Sequence, residues 1–397
     1  MGARLRALRE LLSREAPALP FLRAPSAPPL PAPAAFSAAR PLTDSHGRAH
    51  TYLRLSLTER CNLRCTYCMP AAGASLTPPP SLLTSDEAVA LAGHFVDLGV
   101  TKLRLTGGEP TVRRDLVPLV ERLSLLRGRG LRTLAMTSNG VALPPARLAA
   151  LWGAGLDALN LSLDTLRPAV FEGISRRPAA QWGAAWGAVE GALAQGWGAS
   201  PSRPLKVNAV VQRGVNDGEA PALVEALTKR WPIHLRLIEF MPFGGNAWGD
   251  GSRVVPSAEL RARLAAALPG WRRVGGGGGG GDAGAVGAPE FSGGEGWAGT
   301  VGFISTVSDA FCGTCTRLRL TADGALRACL HGEAEVSLRD ALRGAGGAGA
   351  LAAGDEGAAG AVTRAIAHAV GGKHAALGGR PLGERAADAR GMVRIGG

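Results

Sequence analysis

The segment Cys61-Asn62-Leu63-Arg64-Cys65-Thr66-Tyr67-Cys68 puts three thiols into one short loop, directly after the strand-like run Tyr52-Leu53-Arg54-Leu55-Ser56-Leu57. Such spacing lets a single loop close around one metal centre. Thiolates are soft ligands, suited to iron–sulfur clusters, zinc or cuprous ion. A cubane of four irons takes four ligands, so three cysteines leave one iron open to a small molecule. A structural zinc site would want a fourth Cys or His nearby, and His50 and His94 lie outside the loop. On this triplet alone, zinc and disulfide pairing stay open as alternatives.

The remaining cysteines narrow the choice. The six are Cys61, Cys65, Cys68, Cys312, Cys315 and Cys329, two triplets with none left over. Disulfide frameworks belong mainly to small secreted domains, so both triplets read as metal sites in a reducing compartment. Around the second, residues 317–321 and 325–329 flank Asp323-Gly324 and predict a hairpin that returns Cys329 beside Cys312 and Cys315. Arg317 and Arg319, two apart on a strand, share one face and could grip phosphates together. Two exposed arginines on a solvated strand are the plain alternative.

From residue 51 the chain alternates strand-like runs, at 52–57, 102–106, 133–137, 158–163, 205–211 and 234–240, with helix-like stretches. Nearly continuous apolar runs of this kind suit a sheet covered by helices. One helix opens on Thr84-Ser85-Asp86-Glu87, a capping-box pattern. Six strand–helix units imply an α/β fold with a parallel sheet and right-handed crossovers. Polar and glycine punctuation recurs at the strand ends, as Thr106-Gly107-Gly108-Glu109-Pro110, Thr137-Ser138-Asn139-Gly140, Ser162 with Asp164, and Met241-Pro242. In parallel α/β barrels ligands gather at those ends. Gly107-Gly108 is expected to let backbone approach a ligand closely.

Residues 1–40 are rich in Ala, Pro, Leu and Arg and poor in acids, with Arg4, Arg6, Arg9 and Arg14 spaced along an opening segment. This is the pattern of an organelle presequence, mitochondrial more than plastid because serine is sparse; a Pro-rich extension without an address is the alternative. The tracts 275–296 and 344–360 are so rich in glycine that surface loops without catalytic content are expected. A formal net charge of +12 points to an anionic partner. The tight Lys/Arg runs with interleaved aromatics of a nucleic-acid footprint are missing, and no apolar run approaches the ~20 residues of a membrane-spanning helix. Neither nucleic acid nor membrane is therefore expected as a partner.

The first triplet's spacing resembles the cluster loop of radical S-adenosylmethionine (SAM) enzymes. Further motifs follow in order: Tyr-Leu-Arg-Leu-Ser-Leu-Thr-Glu-Arg-Cys from residue 52, Thr-Gly-Gly-Glu-Pro, Thr-Ser-Asn-Gly, Leu-Ser-Leu-Asp, Lys-Val-Asn, Glu-Phe-Met-Pro, Phe-Cys-x-x-Cys and the terminal Arg394-Ile395-Gly396-Gly397. With them the chain from about residue 41 onward resembles the GTP 3',8-cyclase family, which opens molybdenum cofactor (molybdopterin) biosynthesis.

The resemblance implies a partial (β/α)6 radical SAM barrel over residues 41–255 and a C-terminal auxiliary-cluster domain over 256–397. It also implies two [4Fe-4S] clusters. The one on Cys61, Cys65 and Cys68 would release a 5'-deoxyadenosyl radical from SAM; the one on Cys312, Cys315 and Cys329 would hold the guanine of GTP. The radical would take the ribose 3' hydrogen, and cyclisation would give 3',8-cyclo-7,8-dihydroguanosine 5'-triphosphate. Carried over position by position, Tyr67, Gly108, Ser162 and Met241 look like SAM contacts. Arg54, Arg104, Thr137, Lys206, Arg317 and Arg319 look like GTP contacts. The same resemblance brings an electron donor, hand-over of product to a cyclic pyranopterin monophosphate synthase, a homodimer as one oligomeric option, and a mitochondrial matrix location with plastid or cytoplasm as alternatives.

Thr316 stands where the family commonly has asparagine, and Ser138 where threonine is common; both keep a hydrogen-bonding side chain. Two other readings stand beside the cyclase. A radical SAM peptide-modifying maturase would be expected to carry more auxiliary cysteines and has no need of paired arginines. A zinc-stabilised nucleic-acid-binding protein would use the basic charge.

Overall fold

The computed structural model describes residues 40–241, 251–268, 270–274, 289–292, 295–309, 311–332, 334–379 and 392–395. The presequence-like segment, most of the first glycine tract and the terminal Gly396-Gly397 lie outside the described residues.

Alternation of side chains along each strand sets the architecture. In β1 (Tyr52–Ser56) Leu53 and Leu55 are fully buried in the main core, while Tyr52 and Arg54 point to the opposite face. The pattern repeats in β2 (Lys102–Thr106), where Leu103 and Leu105 face the core and Lys102 and Arg104 do not. It recurs in β3 (Thr133–Ser138), β4 (Ala158–Ser162), β5 (Leu205–Val211) and β6 (Ile233–Glu239). The expected apolar runs are thus apolar on one face only, because the other face lines a polar cavity.

The leucine face is covered by the crossover helices α1 (Ser85–Asp97), α2 (Leu116–Ser124), α3 (Pro145–Gly153), α5 (Ala180–Gln195) and α6 (Ala220–Thr228), whereas α4 (Pro168–Ser175) lends Phe171 and Ile174 to the cavity. The predicted capping box is present on α1. Thr84 Oγ1 accepts from Glu87 N at 3.2 Å, and the Glu87 carboxylate accepts from Thr84 N at 2.9 Å.

β1 to β6 lie side by side in chain order and all pairs are parallel, the product of repeated strand–helix units wound in one sense. After α7 (Ser257–Ala267), the short β7 (Arg272–Arg273) and β8 (Phe291–Ser292) lead into β9 (Thr300–Ile304), which pairs parallel to β6. β10 (Arg317–Leu320) pairs parallel to β1 on the other side and turns back as β11 (Ala325–Arg327), with β12 (Val336–Ser337) outermost. Among the described residues this makes one 12-stranded sheet, open at β12 and β7. The predicted hairpin at Asp323-Gly324 is present. Gly324 has φ +80, and a Cβ there would lie 2.5 Å from Arg339 Cβ, so the turn requires glycine.

The tract 344–360, expected to be a loop, is largely helical instead. α8 (Leu338–Gly344), α9 (Gly347–Ala352) and α10 (Glu356–Gly371) follow one another, and Asp355 caps α10 through Ala358 N at 2.8 Å. Alanine has the highest helix propensity and offsets the interspersed glycines. The apolar positions Leu351, Ala358, Val362 and Ile366 are buried in the core, and α9 packs on α1. Among the described residues no helix is long and apolar enough to cross a membrane.

Candidate active site

In-register parallel pairing puts like-facing residues in rows across the sheet. One row runs Arg319–Arg54–Arg104 over β10, β1 and β2; the next runs Arg317–Tyr52–Lys102. Further along the same face of the sheet Thr137, Asn160 and Lys206 form a row over β3, β4 and β5, and Asn208 pairs with Arg236 of β6. All of these residues line one cavity of about 1170 Å³, bounded by strands from β10 to β9. A single cavity touched by all of them means that the sheet curls around it.

The cavity wall is strongly cationic. Burial, with Arg236, Arg104 and Lys102 adding to it, pushes the Lys206 ammonium down to about 7. Arg236 falls to about 9, from burial and then the Arg104 charge, and Arg54 to about 10, mainly from burial. Arg319 is likewise driven far below its ordinary value by burial beside Arg54 and Arg317. Burial alone would raise the Tyr52 phenol, but Arg104, Arg54, Arg317 and Lys102 outweigh it and bring it down to about 6. Arg104 Nε donates to the Tyr52 hydroxyl and Nη1 to Thr137 Oγ1 at 3.3 Å, while Arg236 donates to Asn208 Oδ1 at 2.9 and 2.6 Å. So much buried positive charge is costly without an anion. The wall is built for a polyanionic ligand.

The first cysteine trio closes the carboxyl end of the cavity. Its loop is laced to the end of α4 by Arg64 N to Ser175 O and Thr66 N to Ile174 O, both 2.9 Å, and folds on itself through Cys68 N to Cys65 O at 3.0 Å. Arg177 Nε holds Asn62 O at 2.8 Å and Arg176 Nη1 holds Met69 O at 3.0 Å. Gly107-Gly108 has a structural use beside the one expected. A Cβ on Gly107 would lie 2.5 Å from Thr58 O, and one on Gly108 2.4 Å from Arg60 O. The close approach is therefore to the backbone leading into the cysteine loop, clamped by Gly108 N to Thr58 O at 2.7 Å and Glu109 N to Arg60 O at 2.8 Å. Gly108 also lines the cavity.

None of the six cysteines is in a disulfide, and among the described residues no group of three His, Cys, Asp or Glu side chains is gathered around a single-ion position. Burial raises Cys61 to about 11 and pushes Cys65 and Cys68 higher still, with neighbouring thiols adding to the effect. Three neighbouring, desolvated thiols on one loop suit a cationic cluster, whose binding would displace their protons.

The second trio sits beside the cavity wall. Phe311, Thr314, Thr316, Arg317, Arg319 and Leu330 line the cavity, whereas Cys312, Cys315 and Cys329 are not part of its surface. Cys312 opens a 3-10 turn and Cys315 precedes β10. Burial lowers the Lys373 ammonium, and Cys315 and Cys329 both pull it back up, which places one cation close to two of the three thiols. In turn burial raises the Cys315 thiol, but Lys373 and Arg317 together outweigh it and bring it below its ordinary value.

Of the sequence-predicted residues, the cavity brings together Cys61, Cys65, Cys68, Tyr67, Gly108, Ser162, Met241, Arg54, Arg104, Thr137, Lys206, Arg317 and Arg319. The Tyr67 hydroxyl is engaged with Asp164 Oδ2 at 2.8 Å, and burial raises that carboxyl to about 6 against the opposing hydrogen bonds. Ser138 keeps a defined role, donating to buried Glu109 at 2.8 Å. Glu109 also accepts from Asn139 N at 2.7 Å and from Thr111, joining the loops after β2 and β3. Tyr52, Lys102, Asn160 and Arg236 were missed by sequence reasoning. Strand alternation was the signal for the first three, each two residues from a predicted site position; Arg236 pairs with Asn208, itself two residues beyond Lys206, and is marked by strand pairing rather than by its own sequence.

Comparison with known proteins adds two family matches, Radical SAM superfamily over residues 55–227 and Molybdenum Cofactor Synthesis C over 233–358. The chain is 47% identical over 302 residues to "GTP 3',8-cyclase, mitochondrial" of Arabidopsis thaliana, covering 76% of this chain and 73% of that one. It is 41% identical over 309 residues to "GTP 3',8-cyclase" of Heliobacterium modesticaldum, covering 76% and 87%. With "Molybdenum cofactor biosynthesis protein 1" of Homo sapiens it shares 44% over 343 residues, 86% of this chain but 49% of the human protein, so it spans about half the length of that relative. Among solved structures, Streptococcus suis SuiB is a partial likeness, with a TM-score of 0.42 and 16% identity over 56% of this chain and 46% of that one.

Proposed function

The chain belongs to the GTP 3',8-cyclase family of radical SAM enzymes, and from that premise we propose how its own residues carry out GTP cyclisation in molybdenum cofactor biosynthesis. The proposed reaction converts GTP to 3',8-cyclo-7,8-dihydroguanosine 5'-triphosphate. The observation that carries this reading is the cationic wall of Arg54, Arg104, Lys206, Arg236, Arg317 and Arg319, buried at Arg104 and Arg319 and half-buried elsewhere, which shares one cavity with the cysteine loop. A triphosphate supplies the several negative charges that such a wall lacks, and guanidiniums meet its oxygens in pairs. Cations turned into a cavity do not present the outward basic face that a nucleic-acid duplex would need.

In this reading Cys61, Cys65 and Cys68 hold a [4Fe-4S] cluster that, when bound, supplies the electron for cleaving SAM to a 5'-deoxyadenosyl radical. Gly108, Ser162, Met241 and Tyr67 line the SAM end of the cavity. Arg317 and Arg319 of β10, with Arg54 and Arg104 beside them, bind and orient the phosphates. Cys312, Cys315 and Cys329 would hold a second [4Fe-4S] cluster, whose open iron would supply a ligand site for the guanine. Lys206 and Thr137, on the β3 to β5 side, fix the nucleoside for attack of C3' on C8. An external electron donor, delivery of product to a cyclic pyranopterin monophosphate synthase and a mitochondrial location complete the proposal. The last is supported by the presequence-like residues 1–40 and by the name of the Arabidopsis relative.

Anaerobic incubation of reconstituted protein with SAM, a strong reductant and GTP tests the reading by mass analysis. Expected products are 5'-deoxyadenosine and a nucleotide isomeric with GTP, both dependent on GTP. Formation of 5'-deoxyadenosine at the same rate with or without GTP, and no new nucleotide, would overturn it.

A further inference from the structure

Lys373 lies just past α10 and is buried, with only 5% of its surface exposed. Its Nζ is 3.5 Å from Cys315 Sγ and donates to Arg317 O at 3.2 Å. Unlike Arg317 and Arg319, it has no place in the cavity wall. It is therefore a cation directed at a cysteine sulfur from outside the substrate space.

The surrounding backbone holds it there. Lys373 N donates to Val370 O at 3.1 Å. The carbonyls of the next two residues, His374 and Ala375, accept from Arg48 at 2.8 and 2.7 Å. Arg48 also donates to Cys312 O at 2.8 Å and is itself held by Asp44 at 2.6 Å. The lysine segment and the cysteine turn are thus tied through one guanidinium.

We propose that Lys373 is a positioning and tuning residue of the second metal centre, donating to Cys315 sulfur and raising the reduction potential of the cluster held there. This rests on the two-cluster reading above. A cluster on three thiolates gains negative charge when reduced, and a nearby cation stabilises that form. Hydrogen bonds to ligand sulfur and local charge are established levers on cluster potential. Phosphates would neutralise Arg317 and Arg319 when substrate is bound, leaving Lys373 as the constant charge.

The test uses the full chain carrying Cys61→Ala, Cys65→Ala and Cys68→Ala, so that bound iron reports the second centre alone. Iron analysis is followed by a redox titration read by electron paramagnetic resonance, with Lys373, Lys373→Met and Lys373→Arg compared. The parent is expected to bind about four irons. Lys373→Met should shift the oxidised-to-reduced ratio at fixed potential by at least tenfold toward oxidised, about 59 mV for one electron, and Lys373→Arg should restore most of it. If Lys373→Met loads no cluster, Lys373→Gln is read instead, with the same downward shift expected. An unchanged potential in a fully loaded neutral variant overturns the role of Lys373 and leaves the second cluster standing. Folded neutral variants that all fail to load overturn tuning in favour of assembly. A parent that takes up no iron overturns the two-cluster reading and this inference with it.

Discussion

Lys206 and Tyr52 leave the clearest pH signature of any side chains on the cavity wall. Unfolded, Lys206 keeps its proton up to about its ordinary 10.5, whereas in the folded, ligand-free site it releases it near 7. Tyr52 behaves in the same direction between about 6 and 10. Over those windows the unfolded chain binds more protons, so stability rises with pH. Denaturant midpoints of the ligand-free protein should increase from pH 6.5 to 9, and Lys206→Met should flatten the rise. A triphosphate reverses both shifts, so GTP binding at pH 8 should take up protons, seen as a dependence of calorimetric heat on buffer ionisation enthalpy. Arg319→Ala should weaken GTP binding by about 1.5–3 kcal/mol, the scale of a hydrogen bond to a charged group. The same variant should still cleave SAM with a strong reductant, and an unchanged GTP affinity would remove Arg319 from the phosphate site.

At the level of elements, the Gly107-Gly108 turn and the helices α8 to α10 make opposite predictions for the same substitution. Gly108→Ala must displace the Arg60 carbonyl, and overpacking of this kind costs about 1–3 kcal/mol. It should lower iron retention at the first trio, measured after anaerobic reconstitution. Gly349→Ala, inside α9 with nothing within 4 Å of the added carbon, should raise stability by up to about 1 kcal/mol, read as a higher melting temperature. A loop at this position would show no such gain. The contrast marks what the residues made legible. The strands, the α1 cap and the hairpin at Gly324 follow from local pattern, and so do both cysteine triplets. The helices of residues 344–360 do not, because glycine counts hide the burial of Leu351, Ala358 and Ile366 that holds them. Nor could Arg236 be chosen from its sequence neighbours alone, since its meaning comes from the strand paired with it.

For the molecule as a whole, the decisive arrangement is that β10 completes the wall begun by β1. Removing the second trio by Cys312→Ala, Cys315→Ala and Cys329→Ala should leave iron and SAM cleavage at the first trio and lose GTP cyclisation, with total iron falling from about eight to about four. The tail is anchored to the other trio's approach. Arg394 meets Glu59 Oε1 at 3.3 Å, Glu59 accepts from Thr77 N at 2.6 Å, and Ile395 is buried. Arg394→Ala should therefore reduce turnover more than it reduces SAM binding, as judged by steady-state rates against equilibrium dialysis. The β1–β10 pairing also has a consequence in time. Its neighbourhood joins positions as far apart as Arg48 and Cys312, 264 residues on, and contacts between such distant parts of a chain form late. The early sulfurs and their supporting loops can therefore settle before the strand that finishes the nucleotide's berth has found its place, so a partly folded chain presents its first sulfur trio while it is still unable to hold a substrate.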